Sequence, residues 1–135
     1  MPIVNWCDEY SVNVSEIDIQ HQKMLEIVNN LHTAVEECRD KSILKGLLIE
    51  LVDFTHMHFS TEERYMNEYD FPGSERHKNE HKVLLQHLDT LVAAVSSGRY
   101  PTFCSDYDVS SDWFLSHVSN SDKNLGNYLN TKGVT

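Results

Sequence analysis

At 135 residues the chain is long enough to bury a core as one domain without staples. Its 21 acidic and 11 basic residues leave a formal charge of −10. That balance argues against nucleic acid or anionic membrane as a partner, since both are polyanions. No basic patch with interleaved aromatics appears, and no apolar run approaches the roughly 20 residues that span a bilayer. The opening Met-Pro-Ile-Val-Asn lacks a charged segment followed by an apolar run, so a signal peptide is not expected. Cys7, Cys38 and Cys104 are far apart and form no CxxC pair. They read as free thiols in a reducing compartment, and the chain as a soluble cytoplasmic protein. Eight histidines are the outlier of the composition, and neutral imidazole is the commonest metal ligand.

Residues 1–17 carry Pro2, Trp6, Tyr10, Val12, Val14 and Ile17 without helical period. They predict an extended N-terminal arm laid on the rest of the fold, with a short edge strand as the alternative. Asp18 is a candidate N-cap for a first helix over about 19–37, where Met24, Leu25, Val28, Leu31 and Val35 keep the 3.6-residue period. A second helix over about 42–67 has Leu47, Leu48, Leu51, Val52 and Phe54 on its apolar face, with Gly46 a mild blemish. Tyr69-Asp70-Phe71-Pro72-Gly73 is a break, and Ser74 can cap a third helix over about 75–96. The fourth runs over about 106–129 on Trp113, Phe114, Val118, Leu125 and Tyr128, and the tail from Thr131 should fray. Four such helices with short connections predict an all-α, antiparallel up-down-up-down four-helix bundle.

Polar residues interrupt the inner faces of all four helices. His21 comes from the first, His58 and Glu62 from the second, His77 and His81 from the third, and His117 and Asp122 from the fourth. Buried imidazoles and carboxylates without a partner cost several kcal/mol each, so about seven of them facing inward call for a shared one. Early and late positions alternate from helix to helix, which brings them to one end of an up-down bundle. Seven ligands exceed the four of a tetrahedral zinc and suit two octahedral ions sharing carboxylates. Imidazole suits iron, copper, nickel or zinc, and two irons bridged by Glu62 and Asp122 are a sensible assignment. The offset from His117 to Asp122 is five residues, roughly 140° around a regular helix. A π-type turn or local bend is therefore expected around 117–122.

Ile17-Asp18-Ile19-Gln20-His21, then His58-Phe59-Ser60-Thr61-Glu62-Glu63, then His77-Lys78-Asn79-Glu80-His81, then His117 with Asp122, resemble the hemerythrin family. Its bacterial branch, the bacteriohemerythrins, is the nearest in pattern, over nearly the whole chain from Trp6 to Tyr128. The resemblance implies a non-haem di-iron centre that binds dioxygen reversibly. His77, His81 and His117 would serve one iron. His21 and His58 would serve the other, which keeps an open position, with Glu62, Asp122 and an oxo or hydroxo group bridging. Met24, Phe59, Phe114 and Val118 fall at spacings that would line the dioxygen pocket and keep water and protons from the bound ligand. Leu is frequent in the family at the position of Phe114, and Ile at those of Met24 and Val118; ordinary core packing explains these residues equally well.

Taken singly, a His77/His81 pair is more often structural than ligating, and it is the joint set at matched heights that points to metal. His32 lies three turns beyond His21, roughly 16 Å away, and cannot share the site. His56 and His87 fall off the ligand faces, and Glu63, about 100° from Glu62, reads as a solvated residue. Three classes of function follow. A binding protein for oxygen carriage, storage or sensing is favoured over an enzyme, because enzymatic di-iron sites in bundles are richer in carboxylates and use paired Glu-x-x-His motifs. The alternatives are a di-iron redox enzyme acting on peroxide, nitric oxide or ferrous iron, and an oxygen- or redox-sensing module with a fused or separate signalling partner.

Overall fold

The structure, a computed structural model, describes residues 6–97 and 117–135. Among these, a single 3-10 turn at Asp8–Tyr10 precedes α1 (Ser15–Glu36), α2 (Lys41–Glu68) and α3 (Ser74–Ser96). A π turn, Val118–Asp122, then runs into α4 (Lys123–Thr131). The fold is an all-α four-helix bundle, as the apolar periods require, and no strand occurs among the described residues. The expected start of the fourth helix near 106 lies outside them, as do Cys104, Trp113 and Phe114.

Three boundary expectations change. α1 begins at Ser15, so Asp18 lies inside its first turn and is not the N-cap. Its carboxylate instead accepts hydrogen bonds from the Val12 amide at 2.8 Å and the Ser11 hydroxyl at 2.6 Å, tying the arm back onto the helix. Ser74 is the first helical residue and makes no side-chain cap bond; Gly73 holds the cap position. The C-terminal tail, expected to fray, folds back on the helix end at Thr131. The Val134 amide donates to the Leu129 carbonyl at 3.0 Å, and Asn130 Nδ2 donates to the Val134 carbonyl at 2.8 Å. The helix ends satisfy carbonyls that would otherwise be orphaned, as where Arg39 N bonds Ala34 O beyond α1. Cys38 takes the left-handed conformation there (φ 52°), and it and Cys7 are exposed free thiols.

The apolar residues divide into two clusters. The larger joins Met24, Leu31, Val35, Leu44, Leu48, Leu51, Phe59, Leu88, Val95 and Val118. The smaller, at the opposite end, joins Val12, Val14, Ile17, Met66, Leu125 and Leu129. The arm supplies Val12 and Val14 to this second cluster, so its alternating valines are buried without forming a strand. Between the clusters lies a band of buried polar side chains.

The arm crosses α4 so closely that a Cβ built on Gly126 would fall 2.2 Å from the Val12 carbonyl oxygen. Backbone cannot yield there as a flexible side chain would. Gly46, by contrast, has nothing within 4 Å of such a Cβ. The two glycines therefore predict opposite signs on thermal or urea unfolding. Gly46→Ala should stabilise by up to about 1 kcal/mol through helix propensity, and Gly126→Ala should destabilise by about 1–3 kcal/mol or more through overpacking.

Candidate metal centre

The polar band contains all seven residues expected from the sequence. His21, His58, Glu62, His77, His81, His117 and Asp122 are each at most 5% exposed. Their side chains converge in two overlapping groups. Glu62, His77, His81, His117 and Asp122 offer ligand atoms within 4.8 Å of one another, and so do His21, His58, Glu62 and Asp122. Both carboxylates belong to both groups.

Local helix geometry explains how each group is presented. His58 and Glu62 stack one turn apart in α2, and His77 and His81 one turn apart in α3 with ring centroids 4.6 Å apart. The five-residue offset in the last segment is resolved by the π turn Val118–Asp122, which closes on an i to i+5 repeat. It brings His117 Nε2 to 2.9 Å from Asp122 Oδ1. The irregularity anticipated around 117–122 is present.

Asp122 spans the two groups. Its Oδ1 lies 3.0 Å from His77 Nε2 and 2.9 Å from His117 Nε2, and its Oδ2 lies 2.8 Å from His21 Nε2. Glu62 Oε1 is 3.0 Å from His81 Nε2 and 3.6 Å from both His58 and His77. Although these atoms are close, His58 Nε2, His77 Nε2, His117 Nε2, Glu62 Oε2 and both Asp122 oxygens make no hydrogen bond. Polar atoms that crowd together without aligned hydrogen bonds face a common volume. Buried groups of this kind are otherwise satisfied by protein or water, so the donor set fits metal ions that would take up their lone pairs.

The outer nitrogens fix the tautomers. His58 Nδ1 donates to Gln20 Oε1 at 2.7 Å, while Gln20 Nε2 donates to Thr61 Oγ1 at 3.1 Å and Thr61 Oγ1 donates to the Met57 carbonyl at 3.2 Å. That chain of donors leaves His58 Nε2 with its lone pair inward. His81 Nδ1 donates to the Glu63 carboxylate at 2.9 Å. Glu63 is therefore not the solvated residue its helical angle implied; it reaches across from α2 to a histidine of α3. Glu80 Oε1 lies 3.5 Å from His117 Nδ1, a charge contact rather than a hydrogen bond, and accepts from the Ser121 hydroxyl at 2.6 Å. Sequence reasoning missed Gln20, Glu63 and Glu80 as partners, although each lies within one of the histidine-bearing stretches.

Charge follows burial and proximity. Burial drives the His58 imidazole down to about 4, against the pull of Glu62 and Asp122. Burial also opposes charge on His77, but the two nearby carboxylates overcome it and raise that imidazole to about 9. His117 is likewise raised well above its ordinary value: burial opposes, and Asp122 followed by Glu62 and Glu80 prevail. Glu62 and Asp122 stay ionised below the carboxylate range in spite of burial, held by His58 and His117 respectively before the other imidazoles. Contact with His117 takes Glu80 down to about 2.

The remaining expectations sort cleanly. His56 and His87 are exposed, and His32 pairs with Glu36 at 3.1 Å, away from the site. Met24, Phe59 and Val118 are buried at 1–2% exposure in the larger cluster. The Phe59 ring stacks on His81 at 3.7 Å between centroids with the planes 4° apart. Phe114 lies outside the described residues.

An all-α bundle with a buried His/Glu/Asp cluster able to bind metal defines a class, and the comparisons name it. Residues 12–129 match the family described as the hemerythrin HHE cation binding domain, and the chain belongs to the hemerythrin family. It is 28% identical to a bacteriohemerythrin of Methylococcus capsulatus, over 93% of this chain and 96% of that one. To a bacteriohemerythrin of Stenotrophomonas maltophilia it is 25% identical, over 91% of this chain and 79% of the relative. A wild-type hemerythrin crystal structure superposes with a TM-score of 0.86 at 27% identity, over 94% of this chain and 98% of that one. No helix among the described residues is long and apolar enough to cross a membrane.

Metal must displace protons from this site. A histidine at about 9 is protonated at neutral pH, so uptake of a divalent probe such as zinc should release protons. Apparent affinity should rise with pH through about 9, as measured by calorimetry in buffers of different ionisation enthalpy. The same groups set the stability of the metal-free protein. The raised His77 contributes stability present below its unfolded value of 6.5 and lost as pH climbs through about 9. The depressed His58 contributes stability present above 6.5 and lost as pH falls toward about 4. Metal-free Tm should therefore decline on both sides of about 6.5.

Proposed function

We propose that this protein binds dioxygen reversibly at a non-haem di-iron centre. The observation that carries the reading is the sharing of Glu62 and Asp122 between a three-histidine and a two-histidine group. In this reading His77, His81 and His117 would hold one iron and His21 and His58 the other, with Glu62 and Asp122 serving both. The three-histidine group offers one more protein ligand than the two-histidine group, so an ion held by the latter would have room for a small ligand. An iron pair held there would supply reversible redox chemistry toward dioxygen.

The chain's own residues supply the environment. Met24, Phe59 and Val118 exclude water from the inner side of the site. Gln20 holds the His58 ring in the tautomer that donates inward. Five imidazoles with two carboxylates favour the ferrous pair over high-valent iron, which supports carriage, storage or sensing above turnover. The family membership and the bacteriohemerythrin relatives support the same reading.

Anaerobically reduced, iron-loaded protein should develop an intense visible ligand-to-iron charge-transfer band on mixing with dioxygen, and lose it on purging with argon. Immediate, irreversible conversion to the oxidised form with steady consumption of an added reductant would instead show an enzyme. Zinc binding without affinity for iron would defeat both. Asp122→Asn should lower the iron content, measured by elemental analysis, from two per chain to one or none.

A further inference from the structure

Behind three of the five histidines stand partners that differ in charge. On the three-histidine side, His81 Nδ1 donates to a carboxylate, Glu63 Oε2, at 2.9 Å, and Glu80 Oε1 stands 3.5 Å behind His117 Nδ1. On the two-histidine side, His58 Nδ1 donates to the neutral amide oxygen of Gln20 at 2.7 Å. An anionic acceptor behind an imidazole strengthens the hydrogen bond and pushes electron density onto the opposite nitrogen, making it the better metal donor. A neutral amide orients the ring as firmly but donates less.

We propose that Glu63, assisted by Glu80, makes the three-histidine half the tighter metal position, and that Gln20 keeps the two-histidine half the weaker. The pair then fills in a fixed order, three-histidine position first, and empties in reverse. Glu63 acts through His81 and is a positioning residue. This placement has a further reason in the fold. Glu63 and Glu80 are each partly exposed, at 35% and 37% of their side chains, so both keep a hydrated edge while their inner oxygens serve the buried rings. A carboxylate buried outright in these positions would need compensation of its own.

The inference rests on the two-metal reading above, and the experiment separates the two. Metal-free protein is titrated anaerobically with cobalt(II), followed by calorimetry and by the visible bands of the bound ion. Wild type should bind two cobalt ions in resolved steps. Glu63→Gln keeps a hydrogen-bond acceptor and removes only the charge. It should weaken the first step by about 10-fold, the lower end of the usual range for such partners, and leave the second within about 2-fold. Gln20→Glu should strengthen the second step and narrow the gap. The cobalt bands of the first-filled position should shift in Glu63→Gln, whereas the Tm of the metal-free variant stays near wild type, an outcome that a merely structural role for Glu63 would not produce. Equal weakening of both steps, or no weakening of either, overturns the assignment of Glu63. A single cobalt bound by wild type overturns the two-metal reading itself, and the filling order falls with it.

Discussion

The rest of the structure depends on the burial of two carboxylates at the centre of the bundle. Glu62 and Asp122 are wholly buried, and ionised groups in such a place are stable only when opposite charge or strong donors surround them. Five imidazoles from four helical segments provide that surrounding, and each segment is constrained in length and phase by having to deliver its histidine to one level. The apolar clusters on either side close the band off from solvent. Their separation into two is a direct consequence of placing seven polar side chains between them.

This constraint also accounts for the irregular helix segment Val118–Asp122. In α-helical geometry His117 and Asp122 would diverge around the axis, and only one could face the band. The π turn Val118–Asp122 widens the repeat so that both do. Helix regularity is given up locally for the sake of the carboxylate that faces His77 and His117 with one oxygen and His21 with the other. The arm is positioned by the same end of the molecule. Its valines complete the smaller cluster beneath the site, which is why Gly126 must leave room for the Val12 carbonyl.

The site carries two kinds of histidine support. Rings backed by carboxylates and a ring backed by an amide are oriented alike, but they differ in the electron density they offer inward. In a centre whose halves share both carboxylates, such differences behind the rings are one of the few means of making the halves unequal. The charge state of the metal-free site follows the same geometry, with His77 and His117 beside Asp122 holding protons that His58 does not.

Much of this was legible in the residues alone. The 3.6-residue periods placed four helices, the one-turn pairs His58/Glu62 and His77/His81 announced ligand faces, and the five-residue gap to Asp122 required a widened turn. All of these are properties of a single helix, in which spacing along the chain converts directly into angle and height. Asp18, Glu63 and Glu80 were misread or passed over because their partners lie on other segments. Asp18 caps nothing and instead binds the arm, and Glu63 turns from its own helix toward His81 of the next. The sequence by itself determined the elements, their inward faces and the seven residues on them, since local periodicity carries that information. Only the tertiary structure decided which oxygen stands behind which ring and how the arm meets the bundle, because those contacts depend on distances between helices that no spacing within one helix encodes.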